Sequence, residues 1–326
     1  MAIDMHSHYY GGLIEALRHR TARPRIAVDA AGRNVLHAMT ASTMVSPGYT
    51  EVPARLRYLD SSGIRTQLMT FPGALGMDVI GEPEVSTIIR NYNDELAAIC
   101  RASGGRLLGL AGLPLADMGK AAHELRRVRR ELGLLGAILP GNLFLSIERA
   151  ERLRPVFAAA DELGALLMIH PGLAPNESAP GPFPDCSLYR ASVLALQASI
   201  AQMGITLVCS DLLDRYPNAA IQLVNLGGTL PFVLERIEAV DKSRRPQAPF
   251  PSERLRRLYY DCASLGPRAL QLAVKTFGAD RIMLGTDYPI FELNPVADTV
   301  GKAEIDDDER DFVLRRTAES VISRLM

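Results

Sequence analysis

The chain has 326 residues, 48% of them hydrophobic and 22% charged, which is ordinary globular usage and excludes a wholly disordered protein. Lys plus Arg (36) nearly balances Asp plus Glu (37), a net charge of −1, so no general basic field invites a nucleic acid. The opening has no basic segment leading into an apolar stretch and no run of about 18 apolar residues is evident, so a cytoplasmic protein that does not engage membranes is expected.

The first short apolar run, Ala2–Met5, leads into His6-Ser7-His8, two imidazoles at i and i+2 that a strand turns to one side. The segment 11–53 then breaks the pattern and carries His19, His37, Met39, Met44, Pro47 and Gly48. It reads as an excursion that acts as a lid or a structural cap. Beyond it, apolar strand-like runs alternate with amphipathic helical ones: strands at Thr66–Phe71, Leu107–Leu113 and Gly136–Leu139, and helices at Pro83–Ala102, Met118–Leu132 and Ile147–Leu163. Arg126, Arg127, Arg129 and Arg130 share one of these helices with apolar Leu125, Val128 and Leu132, so they are expected on a solvated outer face.

A fifth apolar run, Leu166–His170, closes on an imidazole, and a loop with five prolines follows over 171–185, placed to line whatever site His170 joins. Then come a helix at Leu188–Gln202, a strand at Ala220–Asn225, a helix at Pro231–Ala239, a strand at Tyr259–Cys262, a helix at Pro267–Phe277 and a strand at Ile282–Gly285, just before Thr286-Asp287-Tyr288-Pro289. Eight strands alternating with helices predict a parallel (β/α)8 TIM barrel as a single domain, 1–326, with a doubly wound open sheet as the alternative. The closed form places all strand C-termini on one face. The four cysteines, Cys100, Cys186, Cys209 and Cys262, lack C-x-x-C spacing and read as reduced thiols.

On that face His6, His8, His170 and Asp287 all close strands. Neutral imidazoles with one carboxylate suit a divalent cation, Zn²⁺ first, with Mn²⁺, Fe²⁺ and Co²⁺ also compatible. The other reading of His6 and His8 is a pair of ordinary polar residues near the N-terminus. Tyr9 and Tyr10, which follow at once, either line the site or pack.

Several stretches together resemble the amidohydrolase superfamily, in the branch of aminocarboxymuconate-semialdehyde decarboxylase and related aromatic-acid decarboxylases. They are Ile3–His8, the segment from Arg55 to Gln67, Ile169-His170-Pro171, Asp214–Pro217, Leu226–Arg236 and Gly285–Pro289. The resemblance implies that His6, His8, His170 and Asp287 are metal ligands, and that Arg236 binds a substrate carboxylate across a homodimer interface. A guanidinium fork matches a carboxylate well.

The chain departs from that branch where the sixth strand carries Asn225 in place of an acid/base histidine. Asparagine positions a water or a carbonyl by hydrogen bonds but exchanges no proton near neutral pH. The six histidines are at 6, 8, 19, 37, 123 and 170, so only His19 or His37, on the excursion, is left to swing in. The excursion around Thr43 and Met44 also lacks the arginine that the muconate decarboxylase uses for a second carboxylate. Three readings follow: a divalent-metal carboxy-lyase on a small, carboxylated and possibly aromatic substrate, a hydrolase of a lactone, amide or related carbonyl, with or without metal, and a non-catalytic ligand-binding barrel. In the first two, Asp287 relays the proton and Asn225 orients.

Overall fold

The computed structural model describes residues 1–178, 189–248 and 250–326. All eight predicted runs become strands of one sheet: Ala2–His8, Ile64–Thr70, Leu107–Ala111, Gly136–Pro140, Leu166–His170, Ala220–Leu223, Leu258–Asp261 and Ile282–Met283. Each pairs in parallel with the next barrel strand in sequence. The last closes on the first through parallel bridges from Asp4 to Leu284 and from Ser7 to Tyr288. There the Met5 amide donates to the Leu284 carbonyl (2.8 Å) and the His8 amide to the Tyr288 carbonyl (2.7 Å). These bonds leave no open edge, so the fold is the (β/α)8 barrel and not a doubly wound sheet.

Small shifts at the element ends have local causes. The first strand runs on to His8, which puts both imidazoles on the strand itself. The sixth stops at Leu223, short of the expected Asn225, because Asn225 and Leu226 take left-handed φ angles of 53° and 52° that no strand accommodates. The predicted Ile147–Leu163 helix divides into Ile147–Glu151 and Arg154–Leu163, since Pro155 fits only in the first turn of a helix. Helices Val52–Ser61 and Thr317–Leu325 escaped the sequence reading. In the first, the buried residues are Arg55 and Leu59, so a charged side chain sits where the apolar stripe should be.

The excursion contains a short helix, Leu13–Ala16, an antiparallel sheet of Arg25–Val28, Asn34–His37 and Ser42–Met44, and a helical turn at Pro47–Thr50. The arginine cluster does not sit on one solvated face. Arg126 and Arg130 meet Glu162 on the outside, but Arg127 is buried against Glu124 and Asp94, and Arg129 donates to the Leu134 and Leu325 carbonyls. The expectation that no apolar run reaches spanning length is also corrected. Tyr189–Val208 is long and apolar enough, with a mean hydropathy of 1.6. In the barrel its C-terminal half is buried in the helical layer, while Tyr189, Val193 and Leu194 stay exposed.

Candidate metal centre

Alternation along the first strand sends Asp4, His6 and His8 to the barrel interior, where all three are buried. His170 comes from the end of the fifth strand and Asp287 from the turn after the eighth. The three imidazoles stand nearly perpendicular to one another, with ring centroids 5.2, 5.2 and 4.7 Å apart. One nitrogen from each and one Asp287 oxygen all lie within 4.8 Å of one another, a set able to hold a metal ion.

The outer nitrogens explain why the inner ones converge. His6 Nδ1 lies 3.0 Å from Asp261 Oδ1, His8 Nδ1 2.8 Å from Thr70 Oγ1, and His170 Nδ1 2.9 Å from the Pro171 carbonyl. Carboxylate and carbonyl partners only accept, so the Nδ1 atoms of His6 and His170 carry the hydrogen and Nε2 is left for a cation. His6 Nε2 is buried with no hydrogen-bond partner among the described residues, and Asp287 Oδ1 is buried facing only the imidazole nitrogens, His8 Nε2 at 3.2 Å and His6 Nε2 at 3.7 Å. Such an orphan is costly unless something else satisfies it, and a divalent cation bound between these atoms would do so. The residues therefore fit a metal.

Burial alone would raise Asp287, but the surrounding imidazoles hold it well below the usual carboxylate range, and it is an anion. Burial pulls His6 down, yet the charges of Asp261, Asp287 and Asp4 outweigh it and lift His6 to about 9. Burial, followed by the other imidazoles, pushes His170 well below its ordinary value. Without a cation, the neighbouring carboxylates thus favour a proton on His6.

Residues that the sequence reading missed hold the ligands. Asp4 Oδ1 accepts from the His6 and Thr286 amides, both at 3.0 Å, and Oδ2 accepts from Gln67 and from the Thr286 hydroxyl, both at 2.6 Å. That carboxylate fastens the strand bearing His6 to the turn bearing Asp287. Ser264 donates to Asp287 Oδ2 at 2.8 Å, which leaves Oδ1 facing the imidazoles. Asp4 has a signal in the sequence, two residues before His6 on the same face, and so does Asp261, an acid in the apolar Leu258–Asp261 strand. Nothing in the sequence marked Ser264, which a φ of 61° turns toward Asp287.

Asn225 is buried beside this shell, and its backbone N–H donates to the same Asp261 oxygen that faces His6, at 3.2 Å. It opens a run of four left-handed residues, Asn225 to Gly228, with φ from 52° to 73°. Asparagine tolerates that region better than most side chains, which is a conformational reason for its presence. Arg236 lies exposed on the Leu230–Arg244 helix, without a partner among the described residues.

Neither excursion histidine replaces the missing base. His19 is exposed, and His37 Nδ1 lies 2.8 Å from Ser42 Oγ within the antiparallel sheet. Tyr9 packs, its hydroxyl donating to Glu95 at 3.0 Å, whereas Tyr10 pairs with Tyr49 of the excursion at 4.7 Å between rings. Tyr10 is raised well above its ordinary value by burial and then by the charges of Tyr49 and Asp287. Of the proline-rich loop, residues 171–178 are seen, pinned by Glu177 to Asn142 and Arg149; the part over 179–185, like Cys186, lies outside the described residues.

A closed barrel that gathers three imidazoles and a carboxylate at the C-terminal ends of its strands defines a mononuclear metal-site barrel. The profile of the family described as Amidohydrolase matches residues 3–323, and the chain belongs to that family. It is 26% identical over 290 residues to gamma-resorcylate decarboxylase of Rhodococcus jostii (strain RHA1), covering 82% of this chain and 86% of the relative. It is 23% identical over 310 residues to 2-amino-3-carboxymuconate-6-semialdehyde decarboxylase of Dictyostelium discoideum, covering 89% and 82%. A crystal structure of a dihydroxybenzoic acid decarboxylase from Polaromonas sp. JS666, with bound manganese and the inhibitor 2-nitroresorcinol, superposes with a TM-score of 0.74 at 21% identity, covering 99% of this chain and 96% of that one. The resemblance read from the motifs agrees with these findings.

Proposed function

We propose that the protein is a divalent-metal-dependent decarboxylase of a small hydroxylated aromatic acid. The observation that carries this is the convergence of the ligand atoms of His6, His8, His170 and Asp287, with His6 Nε2 buried and unpartnered among the described residues. The gamma-resorcylate and dihydroxybenzoic acid decarboxylases among the relatives supply the substrate class. Zn²⁺ suits the imidazole-rich donor set, and Mn²⁺ is the competing ion, as in the Polaromonas structure. When bound, the cation supplies Lewis-acid stabilisation for negative charge that develops on substrate oxygens.

The chain's own groups do the rest. Asp287 is an anion at neutral pH, so its carboxylate accepts the proton that the substrate or a water brings in. It returns that proton to the ring carbon as the bond to the leaving CO₂ breaks. Ser264 donates to Oδ2 and keeps the carboxylate oriented meanwhile. Asn225 orients the substrate or a water. The excursion, through Tyr49 against Tyr10, acts as the lid.

Asn225 also favours a second reading, hydrolysis of a lactone or amide, because that chemistry needs only Asp287 as the base. A homodimer is supported by exposed Phe232 and Arg236, one turn apart on the same helix, and by exposed Tyr189, Val193 and Leu194. In it, Arg236 of one copy binds the substrate carboxylate in the other. Free Cys100, Cys209 and Cys262 support a reducing, cytoplasmic setting.

The deciding experiment is metal analysis followed by a CO₂-release screen over hydroxybenzoates, with His170→Ala as control. One metal per chain and CO₂ release, both lost in the variant, are expected. A fully loaded protein that opens lactones and releases no CO₂ would favour the hydrolase, and no metal uptake would overturn both metal readings.

A further inference from the structure

Arg55 is fully buried on the Val52–Ser61 helix, and no carboxylate pairs with it among the described residues. Its two Nη groups go instead to four neutral acceptors, while Nε is buried without a hydrogen-bond partner among the described residues. Nη1 reaches Ser7 Oγ at 3.1 Å and Gln67 Oε1 at 2.7 Å, while Nη2 reaches the Gly48 carbonyl at 3.2 Å and makes a short bond to the His8 carbonyl. The guanidinium also lies 4.9 Å from the Tyr288 ring centre and 5.8 Å from that of Tyr9. A buried cation without a counter-ion is costly, so its retention asks for a reason.

The acceptors supply one. Ser7 lies between His6 and His8, the His8 carbonyl belongs to a ligand, and Tyr288 follows Asp287. Gly48 belongs to the Pro47–Thr50 turn at the end of the excursion, and a side chain there would run into the Tyr288 hydroxyl. The next residue, Tyr49, takes the Tyr10 amide on its carbonyl at 2.9 Å and packs on the Tyr10 ring. One planar fork thus touches the strand of two ligands, the flank of a third and the end of the excursion.

We infer that Arg55 is a positioning residue that locks the end of the excursion to the metal ligands, so that filling the metal site and seating the excursion are one coupled event. This rests on the metal reading above. Coupling of this kind is reciprocal: whatever orders the ligands also orders the 42–50 segment, and the reverse.

The test is hydrogen exchange of the 42–50 amides in the full chain, with and without Mn²⁺, together with Mn²⁺ titration, for wild type, Arg55→Lys and Ser7→Ala. Lysine keeps the charge, but its compact ammonium cannot span the four acceptors. In wild type, Mn²⁺ should slow exchange at least about fivefold, the low end of coupling between linked sites. Arg55→Lys should lose that slowing and bind Mn²⁺ about 10–100-fold more weakly, as when support of a ligand is removed. Ser7→Ala, which removes one arm, should show a smaller loss of affinity; it keeps the test open if the lysine variant does not fold.

A wild-type protein that binds Mn²⁺ with no change in exchange overturns the coupling, as does an Arg55→Lys variant with wild-type affinity and protection. Absence of Mn²⁺ binding in wild type overturns this inference and the metal reading together.

Discussion

His6 Nδ1 sits 3.0 Å from Asp261 Oδ1, both fully buried, and that one contact fixes which nitrogen of the first ligand faces the site. The same carboxylate receives the Asn225 and Ala263 backbone N–H groups at 3.2 and 3.1 Å and, on its other oxygen, the Gln222 side chain at 2.7 Å. Asp261→Asn should therefore weaken divalent-metal binding by about 10–100-fold, the usual effect of altering the group behind a ligating histidine. Metal titration checks this, and an unchanged affinity would show that His6 needs no orientation from behind.

Metal affinity should rise with pH. In the metal-free site His6 is lifted to about 9, so below that a proton on Nε2 must leave before the ion can bind. Each unit of acidification below about 9 should cost up to about tenfold in affinity, with the curve flattening above it. A flat profile between pH 6 and pH 9 in a titration series would contradict a proton on His6.

Asn225→His tests the missing base. An imidazole here should raise the turnover of a hydroxybenzoate by at least about tenfold, since general acid/base groups contribute about 10²–10⁴-fold. It should also add a limb to the pH profile in the histidine range. No gain, in a variant with wild-type metal content, would mean that Asp287 suffices alone.

Arg236→Ala separates substrate recognition from metal binding. Metal content should stay at the wild-type level while KM rises about tenfold or more, the scale of a lost charged hydrogen bond. Equal losses of metal and substrate affinity would argue against a role for Arg236 in carboxylate binding.

The buried Cys262 and the half-buried Cys100 make a prediction that does not involve the metal. Burial pushes both Cys262 and Cys100 up from 9.0 to about 12. Both remain thiols in the fold where an unfolded chain would ionise them, so their contribution to stability is intact below pH 9 and falls as pH rises toward 12. Alkylation by iodoacetamide at pH 9 should be far slower in native than in urea-unfolded protein; equal rates at Cys262 would contradict its burial.

The barrel and its four candidate ligands were legible in the sequence because both rest on local regularities. Eight aliphatic runs bounded by turns, and polar residues closing three of them, need no knowledge of distant contacts. Period-two alternation alone placed His6 and His8 on one face.

Tertiary structure decided everything that depends on pairing across the barrel. Asp261 meets His6 from 255 residues away, Asp4 grips Thr286 across 282, and Ser264 reaches Asp287 only because its backbone turns left-handed. Arg55 is the plainest case. In the sequence it is a charged residue on a helix, expected in water, yet the closure of the first strand on the eighth surrounds it with Ser7, His8 and Tyr288. Spacing along a chain encodes periodicity, whereas burial of a charge is set by which surfaces the closed barrel brings together.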